Sequence, residues 1–287
     1  MAPVVNAGPS VGGAWGQPIT LNGSAVAGGT SEQPYLTFSW DFGDGSPSAS
    51  GGASVSHSYS QPGTYTATLQ SCDPLGNCGS ASAAVTVRKR NVTAAYLGAT
   101  TGTFDTPATL SASLTDEFGQ AVSGRTVTFK VGSTTVGTST TGPTGMASLG
   151  YTPGLPAGPY ATEVSFAGDG LYAAASASGS ITIVPTATSV TYTGALSGLP
   201  NKTVTLSATL KDASGTALSG KIITFALGSQ TVTAPTDPTG VATTTLQLGQ
   251  KNGTYSLTAT YAPTGSDSGD YIGSAASTSF TIGNTKK

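Results

Sequence analysis

At 287 residues the chain has room for two or three domains of about 100 residues each. Only 8% of its residues are charged and the formal net charge is -2, so there is no basic field to hold nucleic acid or an anionic membrane surface. No apolar run reaches the roughly 18 residues that insertion into a membrane as a helix requires. Glycine (40) and proline (17) are abundant, yet 37% of residues are hydrophobic and fall in alternating runs, which points to many short strands joined by tight turns. Hydroxyl groups then do the work of solubility, in an extracellular style. The opening MAPVVNAGPS has neither a basic nor an apolar segment and reads as a mature or excised segment with a start codon added, not as a signal peptide.

In chain order, Trp15 comes first, in GGAWGQPITL ahead of a strand pattern. At a loop tip it is a possible ligand contact, stacking on a sugar or anchoring a protein; folded back, it covers one end of a core. WDFGDG (40–45) follows. Trp40 and Phe42 alternate with Asp41, so the aromatic face is expected inside, and Gly43-Asp44-Gly45 supplies a tight turn. Asp41 and Asp44 read as turn-formers, and no cleft signal accompanies them as a glycosidase pair would need. They are also calcium candidates, although the acidic ladder of an EF-hand is missing. His57 has no GxSxG elbow to serve, so a structural, hydrogen-bonded histidine is expected. Cys72 and Cys78, in SCDPLGNCG, have no third thiol for a zinc site, which leaves a disulfide across a hairpin loop, with export as its corollary.

WDFGDG, HSYSQPGTYTATL (57–69) and AAVTV (83–87) occur in an order and spacing that resemble the PKD domain over nearly all of residues 3 to 87. The resemblance implies a β-sandwich, with His57 packing and hydrogen bonding ahead of Tyr59.

Beyond residue 88 the chain repeats itself. TLSASLTDEFGQAVSGRTVTF, from Thr109, lies on TLSATLKDASGTALSGKIITF, from Thr205, a shift of 205 - 109 = 96. GMAS at Gly145 and GVAT at Gly240 keep nearly the same register. Leu110, Ala112, Leu114 and then Val127, Phe129, Val131 alternate with a period of two, and turn signals recur between them, so each copy is expected to be an antiparallel sandwich of about seven strands. TVTF (126–129), TGMA (144–147), GPY (158–160) and AGDGLYAAAS (167–176), echoed by ITF (223–225), TGVA (239–242), GTY (253–255) and GSDSGDYIGS (265–274), resemble bacterial immunoglobulin-like repeats of secreted and surface proteins. Asp169, beside Gly170, joins the calcium candidates, and Asp267 and Asp270 are weighed with it as loop residues. The sequons at Asn22, Asn91, Asn201 and Asn252 lie in turns or linkers and matter where the source organism glycosylates exported proteins.

The fold class expected is therefore all-β, three tandem antiparallel immunoglobulin-like sandwiches in an extended arrangement, divided at 1–88, 89–185 and 186–287. Short linkers at Arg88-Lys89-Arg90 and Pro185-Thr186 favour a stiff row. The function expected is a non-catalytic spacer, stalk or adhesive segment, extracellular or attached to the cell surface. Its expected partners are a surface protein or polysaccharide, or copies of itself in a fibre, with no nucleic acid and no membrane insertion. The alternative is an ancillary carbohydrate- or protein-binding module of a secreted hydrolase.

Overall fold

A computed structural model describes residues 1–28 and 35–283. It contains three successive sandwiches, each with its own core. Every five-stranded sheet has the same plan. In the first sandwich the order is Val11–Ala14, Cys78–Arg88, Gly63–Cys72, Thr37–Asp41, Ala49–Ser50. The second has Thr101–Thr103, Ala175–Val184, Gly158–Phe166, Thr126–Val131, Thr134–Thr140, and the third Ser197–Gly198, Ser274–Ile282, Gly253–Tyr261, Ile222–Leu227, Gln230–Pro235. Facing these sheets are two strand pairs in the first sandwich, three strands in the second and four in the third.

The alternation seen in sequence becomes the two faces of each sheet. Leu110, Leu114 and Phe129 are buried, and so are Leu206, Leu210 and Phe225 one repeat later. Trp40 and Phe42 lie inside the first core while Asp41 is exposed. The glycine of each TGxA motif is required by its backbone. Gly145 has φ +75, and a Cβ there would stand 2.5 Å from the Leu114 carbonyl; Gly240 repeats this at φ +77 and 2.6 Å from Leu210. The tyrosine of each GxY motif ties down its own corner. The hydroxyls of Tyr65, Tyr160 and Tyr255 donate to the carbonyls of Gln61, Pro156 and Lys251, each four residues back. Cys72 and Cys78 form the disulfide.

The sheets are not purely antiparallel, as the alternation alone suggests. The first strand of the second and third sandwiches is split. Val92–Tyr96 pairs antiparallel with Ala108–Asp116, and then the chain crosses to the other sheet, where Thr101–Thr103 runs parallel to Ala175–Val184. A side chain holds the crossover: the Tyr96 hydroxyl donates to Ala99 O at 2.8 Å, and Tyr192 to Ala195 O at 2.7 Å. The short parallel segment covers the edge of the last long strand, which shortens the exposed edge. It also delivers a turn, immediately afterwards, to the end of the sandwich where the next one begins.

Candidate functional site: the junctions between sandwiches

The carboxylates singled out in sequence are held by their own loops. Asp41 Oδ1 accepts from the Gly43 amide at 2.9 Å. Asp44 Oδ1 accepts from the Ser46 amide at 3.0 Å, and its Oδ2 lies 2.8 Å from His57 Nε2. His57 stacks on Phe42 with ring centroids 3.8 Å apart and meets Tyr59 edge-on, while the Tyr59 hydroxyl donates to the Phe42 carbonyl at 3.1 Å. His57 thus fastens the WDFGDG turn to the neighbouring strand. Burial pushes the Asp44 carboxyl up, but the hydrogen bonds from His57 and Ser46 outweigh it and hold the group down at about 2. Asp169 belongs to a different sandwich. Its Oδ1 accepts from the Leu171 and Tyr172 amides, both at 2.8 Å, and its Oδ2 lies 2.5 Å from Arg125 Nε. Among the described residues no three of His, Cys, Asp and Glu are grouped to hold a metal ion.

Trp15 is half-buried and packs against its own core, yet its polar end reaches the next sandwich. Its indole Nε1 donates to the Leu171 carbonyl at 2.6 Å, and its ring meets Tyr172 edge-on at 5.5 Å. The linker residue Arg90 closes the other side. Its guanidinium carbon is 4.1 Å from the Trp15 ring centroid and 5.2 Å from that of Phe118. Arg90 Nε donates to the Trp15 carbonyl at 3.0 Å, and Nη1 to Asp116 Oδ2 at 2.9 Å. Gly16 has a left-handed backbone at φ +71, which favours glycine, and a Cβ on it would also displace the end of the Arg90 side chain, 2.6 Å away at Nη2. Asp116 has only 1% of its side chain exposed, and its other oxygen holds a turn through the Phe118 and Gln120 amides. Outside this cluster Arg88 forms a two-pronged pair with Glu117, at 2.6 and 2.8 Å, and holds that carboxyl below its usual range.

The backbone completes the joint. Arg90 bridges Tyr172 in parallel register, its amide donating to Leu171 O at 3.0 Å and its carbonyl accepting from Ala173 at 2.9 Å. The Trp15 amide donates to Arg88 O at 3.1 Å.

The second junction repeats this construction part by part. Phe104 stands where Trp15 stood; its amide donates to Val184 O at 2.9 Å and its ring meets Tyr271 edge-on at 5.5 Å. Thr186 takes the place of Arg90: it runs parallel to Tyr271, its amide donates to Asp270 O at 2.8 Å, and its hydroxyl donates to the Phe104 carbonyl. Lys221 corresponds to Arg125, with Nζ 2.5 Å from Asp267 and 4.8 Å from the Tyr271 ring centroid. The Ala157 amide adds a bond to Gly269 O at 2.9 Å. Burial, reinforced by Asp267, raises the Asp270 carboxyl above its ordinary value.

Reading for catalytic and metal motifs passes over Phe104, Arg125, Tyr172, Lys221 and Tyr271. Their signal is the internal alignment: GAWGQP against GTFDTP, Arg125 against Lys221 at the shift of 96, and Tyr172 against Tyr271 at 271 - 172 = 99, past the longer loop of the last repeat. The turn residue after the aromatic is left-handed in both, Gly16 at φ +71 and Asp105 at φ +55.

The PKD domain family model matches residues 1–87, the stretch that carries WDFGDG. No curated protein matches the chain. Among solved structures it is similar to part of a 1.5-MDa bacterial ice-binding adhesin, at 16% identity over 98% of both chains with a TM-score of 0.32. Invasin, a bacterial integrin-binding protein, gives 16% identity over 98% of this chain and 59% of that one, with a TM-score of 0.41. A tandem-domain segment of titin gives 12% identity over 99% and 100%, with a TM-score of 0.37. The fold class rests on the strand orders above and not on these likenesses.

Three outcomes follow from this geometry. Asp44 has its carboxyl lowered in the folded state, so its stabilisation is complete above about pH 4 and is lost as pH falls through about 2. Asp44→Asn should cost on the order of 2 kcal/mol at neutral pH and flatten acid unfolding between about pH 4 and 2, measured by circular dichroism. Calcium chloride at millimolar concentration should give no calorimetric heat and no change in melting; heat with a chelator-reversible rise in melting would make Asp41, Asp44 or Asp169 cation ligands. Arg90→Ala leaves the buried Asp116 carboxylate uncompensated and should cost about 3 kcal/mol in denaturant unfolding, whereas Arg88→Ala, at an exposed pair, should cost less than about 1 kcal/mol. Equal losses would remove Arg90 from its central place.

Proposed function

We propose that the chain is a non-catalytic extracellular structural or adhesive module, divided at 1–88, 89–185 and 186–287. It works as a rod-like spacer or stalk segment, and the second and third units are immunoglobulin-like repeats of the bacterial type. The observation that carries this reading is the doubled junction. A spacer works by keeping its ends apart, and that requires the relative orientation of neighbouring units to be fixed. Here each short linker is paired through its backbone to a loop of the following sandwich, and an aromatic side chain from the preceding one is seated beside it. A tethered pair of independent modules has no use for such a clasp. Contacts to a surface protein or polysaccharide fall to the sandwich edges and exposed loops, whereas Trp15 is committed to the joint.

Small-angle scattering tests the shape. Three sandwiches of about 40 Å, from strands of roughly ten residues at about 3.3 Å each plus turns, give a rod on the order of 100 Å long. An elongated distance distribution is expected at all salt concentrations. A compact profile overturns the spacer reading.

A further inference from the structure

The third sandwich carries a third copy of the turn that the first two sandwiches insert into their successors. GLPNKTVTL (198–206) aligns with GTFDTPATL (102–110), so Pro200 stands at the position of Phe104 and Asn201 at that of Asp105. The turn keeps its conformation, although Pro200 has no amide to donate where Trp15 and Phe104 donate to Arg88 O and Val184 O. Asn201 has φ +60, and its amide donates to Leu248 O at 2.9 Å, as Asp105 donates to Pro153 O at 2.8 Å and Gly16 to Tyr59 O at 2.7 Å. The surroundings differ in a directed way. Leu199 and Leu196 are 45% and 55% exposed, where the second sandwich has Thr103 and Thr100. Exposed Lys251 stands where Pro156 stands, next to the residue whose amide reaches the acidic loop of the third sandwich.

We propose that this end of the third sandwich, formed by Leu199, Pro200 and Lys251, is a docking surface for a further immunoglobulin-like sandwich whose receiving loop carries a tyrosine and acidic residues. The inference rests on the spacer reading. At both internal junctions the receiving loop presents a tyrosine to the turn residue, Tyr172 to Trp15 and Tyr271 to Phe104. A proline ring offers an apolar face to such a tyrosine, and Leu199 extends that face. Lys251 complements a loop of the kind that holds Asp267 and Asp270. The first sandwich does not fit as the occupant, because its corresponding loop is the disulfide hairpin 72–78, which has no tyrosine to present to Pro200. The row therefore has a direction, and head-to-tail stacking of identical copies does not reproduce the joint.

The test is a fusion of residues 1–283 followed directly by a second copy of 185–283, compared with the same fusion carrying a flexible Gly-Ser insert at the new joint. Scattering of the direct fusion should show a maximum dimension longer by about one sandwich length, on the order of 40 Å, with the profile of a stiff rod. The insert should loosen it. Leu199→Ser together with Lys251→Glu in the host sandwich should also loosen it without moving the melting temperature, since both side chains are exposed. A direct fusion as flexible as the insert control overturns the docking surface while leaving 1–283 itself a rod. A compact 1–283 would instead sink the spacer reading. Concentration-dependent dimers of 1–283 that disappear with Leu199→Ser would also overturn the proposal, assigning the surface to a second copy of the chain.

Discussion

One backbone constraint governs the arrangement: the second residue past the last strand of one sandwich is already hydrogen-bonded through its backbone to the next. Arg90 and Thr186 lie in parallel register with Tyr172 and Tyr271, so a single residue, Lys89 or Pro185, separates the last strand of one sandwich from the pairing to the next. Orientation is then set by peptide geometry. The aromatic and charged contacts around each linker act on a joint whose direction is already fixed, and side-chain packing opposes the bending modes that remain. This order of causes also explains the split first strand. Without the crossing that Tyr96 and Tyr192 hold, the turn bearing Phe104 or Pro200 would not arrive at the end of the sandwich.

The two junctions share a plan but differ in chemistry. In the first, the linker residue is cationic and its partner Asp116 is buried, so each needs the other: the carboxylate costs several kcal/mol if left alone, and the guanidinium closes the gap over the Trp15 ring. In the second, Thr186 supplies only a hydroxyl. Asp212, the counterpart of Asp116, keeps the same turn through the Ser214 and Thr216 amides. The cation that remains is Lys221, which reaches Asp267 and lies over Tyr271 as Arg125 does with Asp169 and Tyr172 at the first junction. Substitutions at one junction are therefore not transferable to the other unless both members of a pair change together.

The sandwiches were legible in the sequence because their cause is local. A period of two, a shift of 96 and the glycine of each TGxA turn all lie within a few residues of what they determine. The WDFGDG turn was legible for the same reason, with Trp40 and Phe42 inside and Asp44 fastening the turn. The junctions were not, since their contacts join residues far apart in sequence. Trp15 meets Leu171 across 156 positions and Arg90 across 75. Alternation describes the faces of a sheet and is silent about its ends, so it places Trp15 as a core cover or an exposed tip but not in a joint. The internal alignment contained the information, in Trp15 over Phe104 and Arg125 over Lys221, but it becomes a structural statement only once the next sandwich is in place.

The scarcity of charge acquires a meaning from where the charges sit. Four of the six ion pairs among the described residues, those of Arg88, Arg90, Arg125 and Lys221, lie at the two junctions. The sheet faces between them carry hydroxyls that bond across strands, as Thr68 does with Ser82, Ser111 with Ser148 and Ser207 with Thr243. Neutral faces neither repel along the row nor respond to salt, whereas a half-buried pair beside an aromatic ring is screened much less than an exposed one. Charge is concentrated where orientation is decided and replaced by hydroxyls where only wetting is needed. Junction contacts built this way are little affected by ionic strength, and 8% charged residues suffice because so few positions require them.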